Sequence, residues 1–291
     1  MTLLIELWRF TPLENPTVYE RGNYEENSFI VVLRQSIAFL MEFTRKQAYA
    51  CLFGAVLLAV IFLTRYFTIP FISRYDFIFI FAIATQFALI ALKLETKREV
   101  LMVAVFHVLA TMMELFKTSP GVGSWVYPQV GEAVFHIRTV PLFSGFLYSA
   151  VGSYLARVWR MFRFRFSPYP PFWMTMVFAA MAYANFFTHH FLPDIRISLF
   201  IIAVLLYGRS FVYFTIAARE RRMPLLLGFF LVALFIWIAE NIGTFSSVWL
   251  YPFQAHGWSL VPFHKLGAWF LLMMVSFILI TTIHKRSLYE Q

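Results

Sequence analysis

Two glutamates close apolar runs at matching places in this chain. Met113-Glu114 is followed by Gly121 and Trp125-Val126-Tyr127-Pro128, and Ala239-Glu240 by Gly243 and Trp249-Leu250-Tyr251-Pro252. A carboxyl group stripped of water favours its protonated form. Either glutamate is therefore a candidate general acid for a substrate lodged among apolar side chains. His107 stands two helical turns before Glu114 on the same helix face, about 10 Å deeper at 1.5 Å per residue. His264 opens the last apolar run. These two histidines are the candidates to tune the acids. The structural alternative is that each glutamate bonds the turn that follows it or pairs with a cation.

Further polar groups are expected at the depth of the glutamates: Asn185, His189 and His190 at the end of one run, Asn241 beside Glu240, and Lys265 beside His264. Trp125, Tyr127, Trp249 and Tyr251 read first as interfacial anchors, because Trp and Tyr favour the headgroup level. Lining a substrate site is their second reading. Arg209 is expected deep in a run, where an unpaired guanidinium needs a partner or a wet cavity. With Tyr207 and Gln86 it could floor a central polar cavity. His136 and His256, in the two loops after the glutamates, offer a weak metal alternative, since His and carboxylate suit zinc or iron. No HxxxH or HxxHH spacing accompanies them, so the expectation is no metal and no cofactor. The chain also lacks a P-loop, GxGxxG, GxSxG and HExxH, which removes the usual signatures of nucleotide, hydrolase and zincin chemistry.

The elements that must position these groups are membrane helices. The 291 residues are 60% hydrophobic, 20% aromatic and only 13% charged, with 36 Phe. A soluble domain runs nearer a quarter charged. The single Cys51 rules out an intrachain disulfide framework. Eight runs approach the roughly 20 residues that cross a bilayer: 48–67, 75–94, 99–116, 140–159, 172–190, 196–217, 223–243 and 261–284. The expected fold is all-α, a polytopic bundle of about eight transmembrane helices. The run Phe29–Phe43 carries Arg34 and Gln35 at its centre and is expected to lie in the interface.

The later four runs track the earlier four: Glu240 follows Glu114, Pro262 follows Pro141, and Asp194/Arg196 answer Arg74/Asp76 with charges exchanged. Four helices return the chain to its starting side, so the halves are expected to be parallel repeats. The divisions are an N-terminal segment 1–47, a first repeat 48–160, a basic-aromatic linker 161–171 and a second repeat 172–291. Arg45, Lys46, Lys97, Arg98, Arg157, Arg160, Arg163, Arg165, Arg219, Arg221, Arg222, Lys285 and Arg286 gather on one face. The positive-inside rule makes that face and both termini cytoplasmic, in the plasma membrane. The net charge of +9 is therefore an orientation signal rather than a nucleic-acid one. Its expected partners are membrane lipids, with anionic headgroups at the basic face, and an apolar small molecule.

The paired Glu…Trp-x-Tyr-Pro copies resemble the YoaT-like family of bacterial integral membrane proteins, whose activity is uncharacterised. The resemblance spans most of the chain and implies membrane location. The same glutamates placed before Gly and aromatic-Tyr turns are more distantly similar to membrane carotenoid hydratases and small-subunit-type lycopene cyclases. Those enzymes protonate a polyene double bond with a carboxylic acid, and Glu114 and Glu240 are the positions that would correspond. The cyclases' paired-glutamate motif is absent. Three functions remain open: an acid-catalysed enzyme on an isoprenoid or carotenoid-type lipid, a small-solute carrier between the halves, and a non-catalytic membrane module.

Overall fold

The computed structural model describes residues 24–216 and 219–283, with side chains described for 33–216 and 219–282. Residues 1–23, Lys285 and Arg286 lie outside the described residues. Helix α1 (Tyr24–Ala50) meets α2 (Leu52–Leu63) at Cys51 with a 69° bend. There follow α3 (Arg74–Ala91), α4 (Lys97–Lys117), a small antiparallel hairpin β1 (His136–Ile137) and β2 (Val140–Pro141), and α5 (Ser144–Phe162). The later part holds β3 (Arg165–Ser167), α6 (Phe172–Thr188), α7 (Arg196–Tyr207), β4 (Phe211–Ile216), β5 (Arg219–Pro224), α8 (Leu225–Phe245) and α9 (His264–Ile283).

Local chemistry fixes several starts. Ser73 caps α3 by accepting from the Asp76 N–H, and Thr96 with Glu99 forms a reciprocal capping box on α4. α3, α4, α8 and α9 are long and apolar enough to cross a membrane, and α1 with α2 adds a fifth if the bent pair is one span. The outside of the helices is apolar too: Leu101, Met112, Leu205 and Phe235 are each more than half exposed. A water-soluble monomer does not leave such a surface bare. The chain is a mostly helical membrane protein.

Helix α5 is the centre of the bundle, although it is less apolar than the spans around it. Its packed stripe is small and polar: Ser144, Gly145, Ser149, Gly152 and Ser153 are buried. Small residues let helices approach closely. A Cβ on Gly145 would come within 2.6 Å of the His107 ring, and one on Gly152 within 2.8 Å of Phe106. Ser149 Oγ donates to the Val103 carbonyl of α4 at 2.8 Å. The earlier and later parts interlock around this helix, since one core cluster joins α5, α6, α7, α8 and α9 and another joins α2, α3, α8 and the loops after both glutamates.

One expectation changes. The run 196–217 is not one helix: α7 stops at Tyr207, and Phe211–Ile216 is the middle strand of an antiparallel sheet, β3-β4-β5. Its Phe-Val-Tyr-Phe-Thr-Ile sequence is β-branched and aromatic. Its partner strand carries Arg219, Glu220, Arg221 and Arg222, which exposes charge that a span would have to bury. Val212 and Ile216 are buried, and Ile216 packs with Phe162, Phe39 and Phe43. Within the basic-aromatic linker, Arg165 lies in the short strand β3. The run Phe29–Phe43 is helical throughout, as part of the long α1.

Candidate functional site

Both glutamates lie at the end of the bundle where α4 and α8 finish, Glu114 at 2% and Glu240 at 3% exposure. Glu114 accepts three hydrogen bonds: from Trp125 Nε1 at 2.8 Å, from the Tyr127 hydroxyl at 2.9 Å and from the Tyr148 hydroxyl at 2.9 Å. Glu240 accepts from the Tyr251 hydroxyl and, at 2.7 Å, from Trp269 Nε1. An indole N–H can only donate, so each carboxylate presents at least one oxygen purely as an acceptor. Tyr127 and Tyr251 lie in the loops beyond the helices. Burial, then the adjacent carboxylate, pushes both phenols well above their ordinary value and keeps them as donors.

The two centres touch. Tyr148, which serves Glu114, lies 6.1 Å ring to ring from Trp269, which serves Glu240. Trp125, which serves Glu114, lies 6.2 Å from Tyr251, which serves Glu240. Between the loops Val126 and Leu250 exchange both backbone hydrogen bonds at 2.9 Å. Trp249 departs from the pattern. It makes no bond to Glu240 and covers Gly243, where an added Cβ would lie 2.0 Å from its ring.

Other groups tie the loops down. Asp76 accepts from the N–H groups of Val134 and Phe135, and the Tyr75 hydroxyl donates to the Val248 carbonyl at 2.7 Å. Asn241 accepts from the Val261 N–H at 2.9 Å and donates to the Trp237 carbonyl at 2.8 Å.

The remaining candidates divide. Asn185 donates to Asp194 at 3.1 Å and accepts from the Ile195 N–H, while His189 donates to the Asn185 carbonyl at 2.9 Å. Against the opposing effect of burial, the Arg196 guanidinium and the Asn185 amide hold the Asp194 carboxyl below the usual range. His190 Nε2 accepts from Lys117 Nζ at 2.9 Å. Lys265 lies 4.3 Å over the Tyr251 ring. His107 is not joined to Glu114. Its Nδ1 is buried without a hydrogen-bond partner, and its ring lies 4.4 Å from Phe146. His264 is exposed at the start of α9, His136 in β1 and His256 in its loop. Among the described residues no three His, Cys, Asp or Glu converge as metal ligands. Arg209 is a correction: it is exposed in the turn between α7 and β4, because the helix ends before it. Gln86 lies elsewhere, bonded to Glu95, so the two do not floor one cavity.

Three features escaped the sequence reading. Tyr148 and Trp269 stand seven residues after the matched prolines (141 to 148, 262 to 269), and that spacing was the available signal. Glu95 and Arg157 form a fully buried ion pair at 2.8 Å, with Gln86 and Ser153 also donating to Glu95. Arg157 therefore does not belong to the surface basic face. Its place one turn beyond Ser153 and two beyond Ser149 on the packed stripe of α5 marked it as inward-facing. The third is an apolar pocket of about 60 Å³ between α4, α5, α6, α8 and α9. Its walls include Phe106, Ala110, Met113, Tyr148, Tyr183 and Trp269. Leu109, Ile236, Leu272 and Ser276 on its rim are partly exposed, so it opens sideways.

The chain is 39% identical over 249 residues to the uncharacterized protein YoaT of Bacillus subtilis (strain 168), covering 86% of this chain and 93% of that protein. No solved structure matches. Neither finding carries the likeness to carotenoid hydratases. A family model described as protein of unknown function (DUF817) matches residues 39–277, and the chain belongs to that family.

Proposed function

We propose that this protein is an intramembrane binding protein that holds part of an apolar lipid or isoprenoid-type chain between two parallel four-helix repeats. Glu114 and Glu240 are the locks that fix the loops over that site. One observation carries the reading: Tyr148 and Trp269 face the pocket with their rings and satisfy the two glutamates with their hydroxyl and N–H groups. The pocket takes a few methylenes, and the rest of the ligand lies in the bilayer beside it.

The two-repeat plan is supported by the reciprocal Val126–Leu250 bridge between equivalent residues, and by the matched roles of Tyr127 with Tyr251 and Tyr148 with Trp269. Eight spans follow if α2, α5, α6 and α7 cross together with α3, α4, α8 and α9. Basic residues on the sheet and nearby helix ends favour a cytoplasmic face there, against anionic headgroups of the plasma membrane, with both termini inside.

A second reading keeps the acid-catalysed enzyme. The Tyr148 hydroxyl links Glu114 to the pocket wall and could relay a proton to a double bond held there. The carrier reading has less support, because the polar groups it needs are dispersed. The test of binding is to titrate the purified full chain with a matched pair of neutral lipids, one brominated, and follow quenching of tryptophan fluorescence. Ala110→Phe fills the pocket without adding a fluorophore and is expected to weaken binding about tenfold or more. Unchanged quenching in that variant would sink the pocket reading.

A further inference from the structure

One turn beyond the pocket, the wall changes from apolar to cationic. Along α4, Ala110, Met113 and Lys117 are spaced three and four residues apart and share a helix face. Along α9, Lys265 stands four residues before Trp269, whose ring lines the pocket. Lys117 is 2% exposed, and its ammonium hydrogen-bonds the His190 ring. Its ammonium also lies 4.0 Å over the Phe186 ring. Among the described residues neither Lys117 nor Lys265 has a carboxylate within 4.0 Å. Arg196, whose charge reaches both lysines, is already paired with Asp194 at 2.6 Å. Glu240 acts on Lys265 from further off, with its own oxygens engaged by Tyr251 and Trp269. Two ammonium groups gathered at partly dry helix ends, with no carboxylate in contact with either, are costly.

We infer that Lys117, Lys265 and His190 form the seat of an oxyanion head, phosphate or carboxylate, carried by the same amphiphile whose apolar chain enters the pocket. The inference rests on the binding reading above and adds the headgroup to it. The ligand is therefore an anionic lipid or isoprenoid phosphate-type molecule rather than a neutral hydrocarbon. The oxyanion supplies the charge that the lysines lack, and charge-assisted bonds from Lys give it stronger purchase than neutral donors would.

The test uses the full chain in detergent and three probes: short-chain phosphatidic acid, the matched diacylglycerol and inorganic phosphate, each titrated by native mass spectrometry. The expected result is about tenfold tighter binding of phosphatidic acid than of diacylglycerol, with inorganic phosphate much weaker than either. Lys117→Met and Lys265→Met should each erase most of that preference. Lys265 is only partly buried, so its variant carries the test if the Lys117 variant does not fold. Equal affinity for the acid and the neutral lipid would overturn the inference, as would a preference unchanged in Lys265→Met. Inorganic phosphate binding as tightly as phosphatidic acid would detach the seat from the pocket and overturn it as well. The binding reading fails separately, by diacylglycerol binding that survives Ala110→Phe.

Discussion

Glu114 and Glu240 occupy matching positions and do the same work with different means. Each is held by a loop tyrosine and by an aromatic donor seven residues past a proline, and each is almost fully buried. Only Glu114 also receives an indole from its own loop. Eleven residues separate Glu114 from Trp125, and nine separate Glu240 from Trp249. The shorter loop keeps Trp249 over Gly243, where it packs instead of reaching back. The difference teaches that the glutamate and the tyrosine are the shared device, while the tryptophan is free to change roles.

The comparison breaks most visibly if the carboxylates are removed. Glu114→Ala leaves three buried donors unpaired and Glu240→Ala leaves two, at roughly 1–3 kcal/mol for each orphaned group. Thermal unfolding in detergent should rank Glu114→Ala as the more damaged. The reverse order would show that the third donor contributes nothing. Next come the glycines. Gly243→Ala drives a methyl into the Trp249 ring, an overpacking cost of about 1–3 kcal/mol. Gly121→Ala meets nothing within 4 Å and should stay within about 0.5 kcal/mol of the parent. Equal effects in the same assay would dissolve the asymmetry between the copies.

The phenols come below the glutamates and Gly243. Tyr127→Phe and Tyr251→Phe should each cost about 1 kcal/mol. Both phenols are raised above their ordinary value of 10.0 in the folded state. Above that pH the unfolded chain loses these protons while the folded chain keeps them, so stability falls as pH rises further. Each Phe variant should flatten this alkaline loss by its own share. An alkaline profile unchanged in both would remove the tyrosines from the account.

Much of this was legible in the residues. Most of the apolar runs marked helices, though 196–217 held a helix and a strand, and the recurrence of glutamate and Trp-x-Tyr-Pro marked both centres. Their partners were harder to read because the donors come from different elements. Tyr148 and Trp269 are far from their glutamates along the chain and meet them only when α5 and α9 pack inward. Arg157 counted as a surface cation because sequence charge carries no direction, whereas the small residues before it turn it toward Glu95. Phe211–Ile216 continued an apolar run and read as helix, because hydropathy does not register that Arg219–Arg222 would pair with it.

The most direct test of the glutamates as locks is Glu114→Gln, measured on the purified chain for both thermal stability and binding of a neutral brominated lipid. The amide can still accept from Trp125 and Tyr127 while its NH2 donates to the Tyr148 oxygen, so most of the lock survives without the acid. The account predicts a loss of about 1 kcal/mol in stability and lipid affinity within about threefold of the parent. A variant as stable as the parent that no longer binds the lipid would contradict it, and would return Glu114 to the role of a reacting acid.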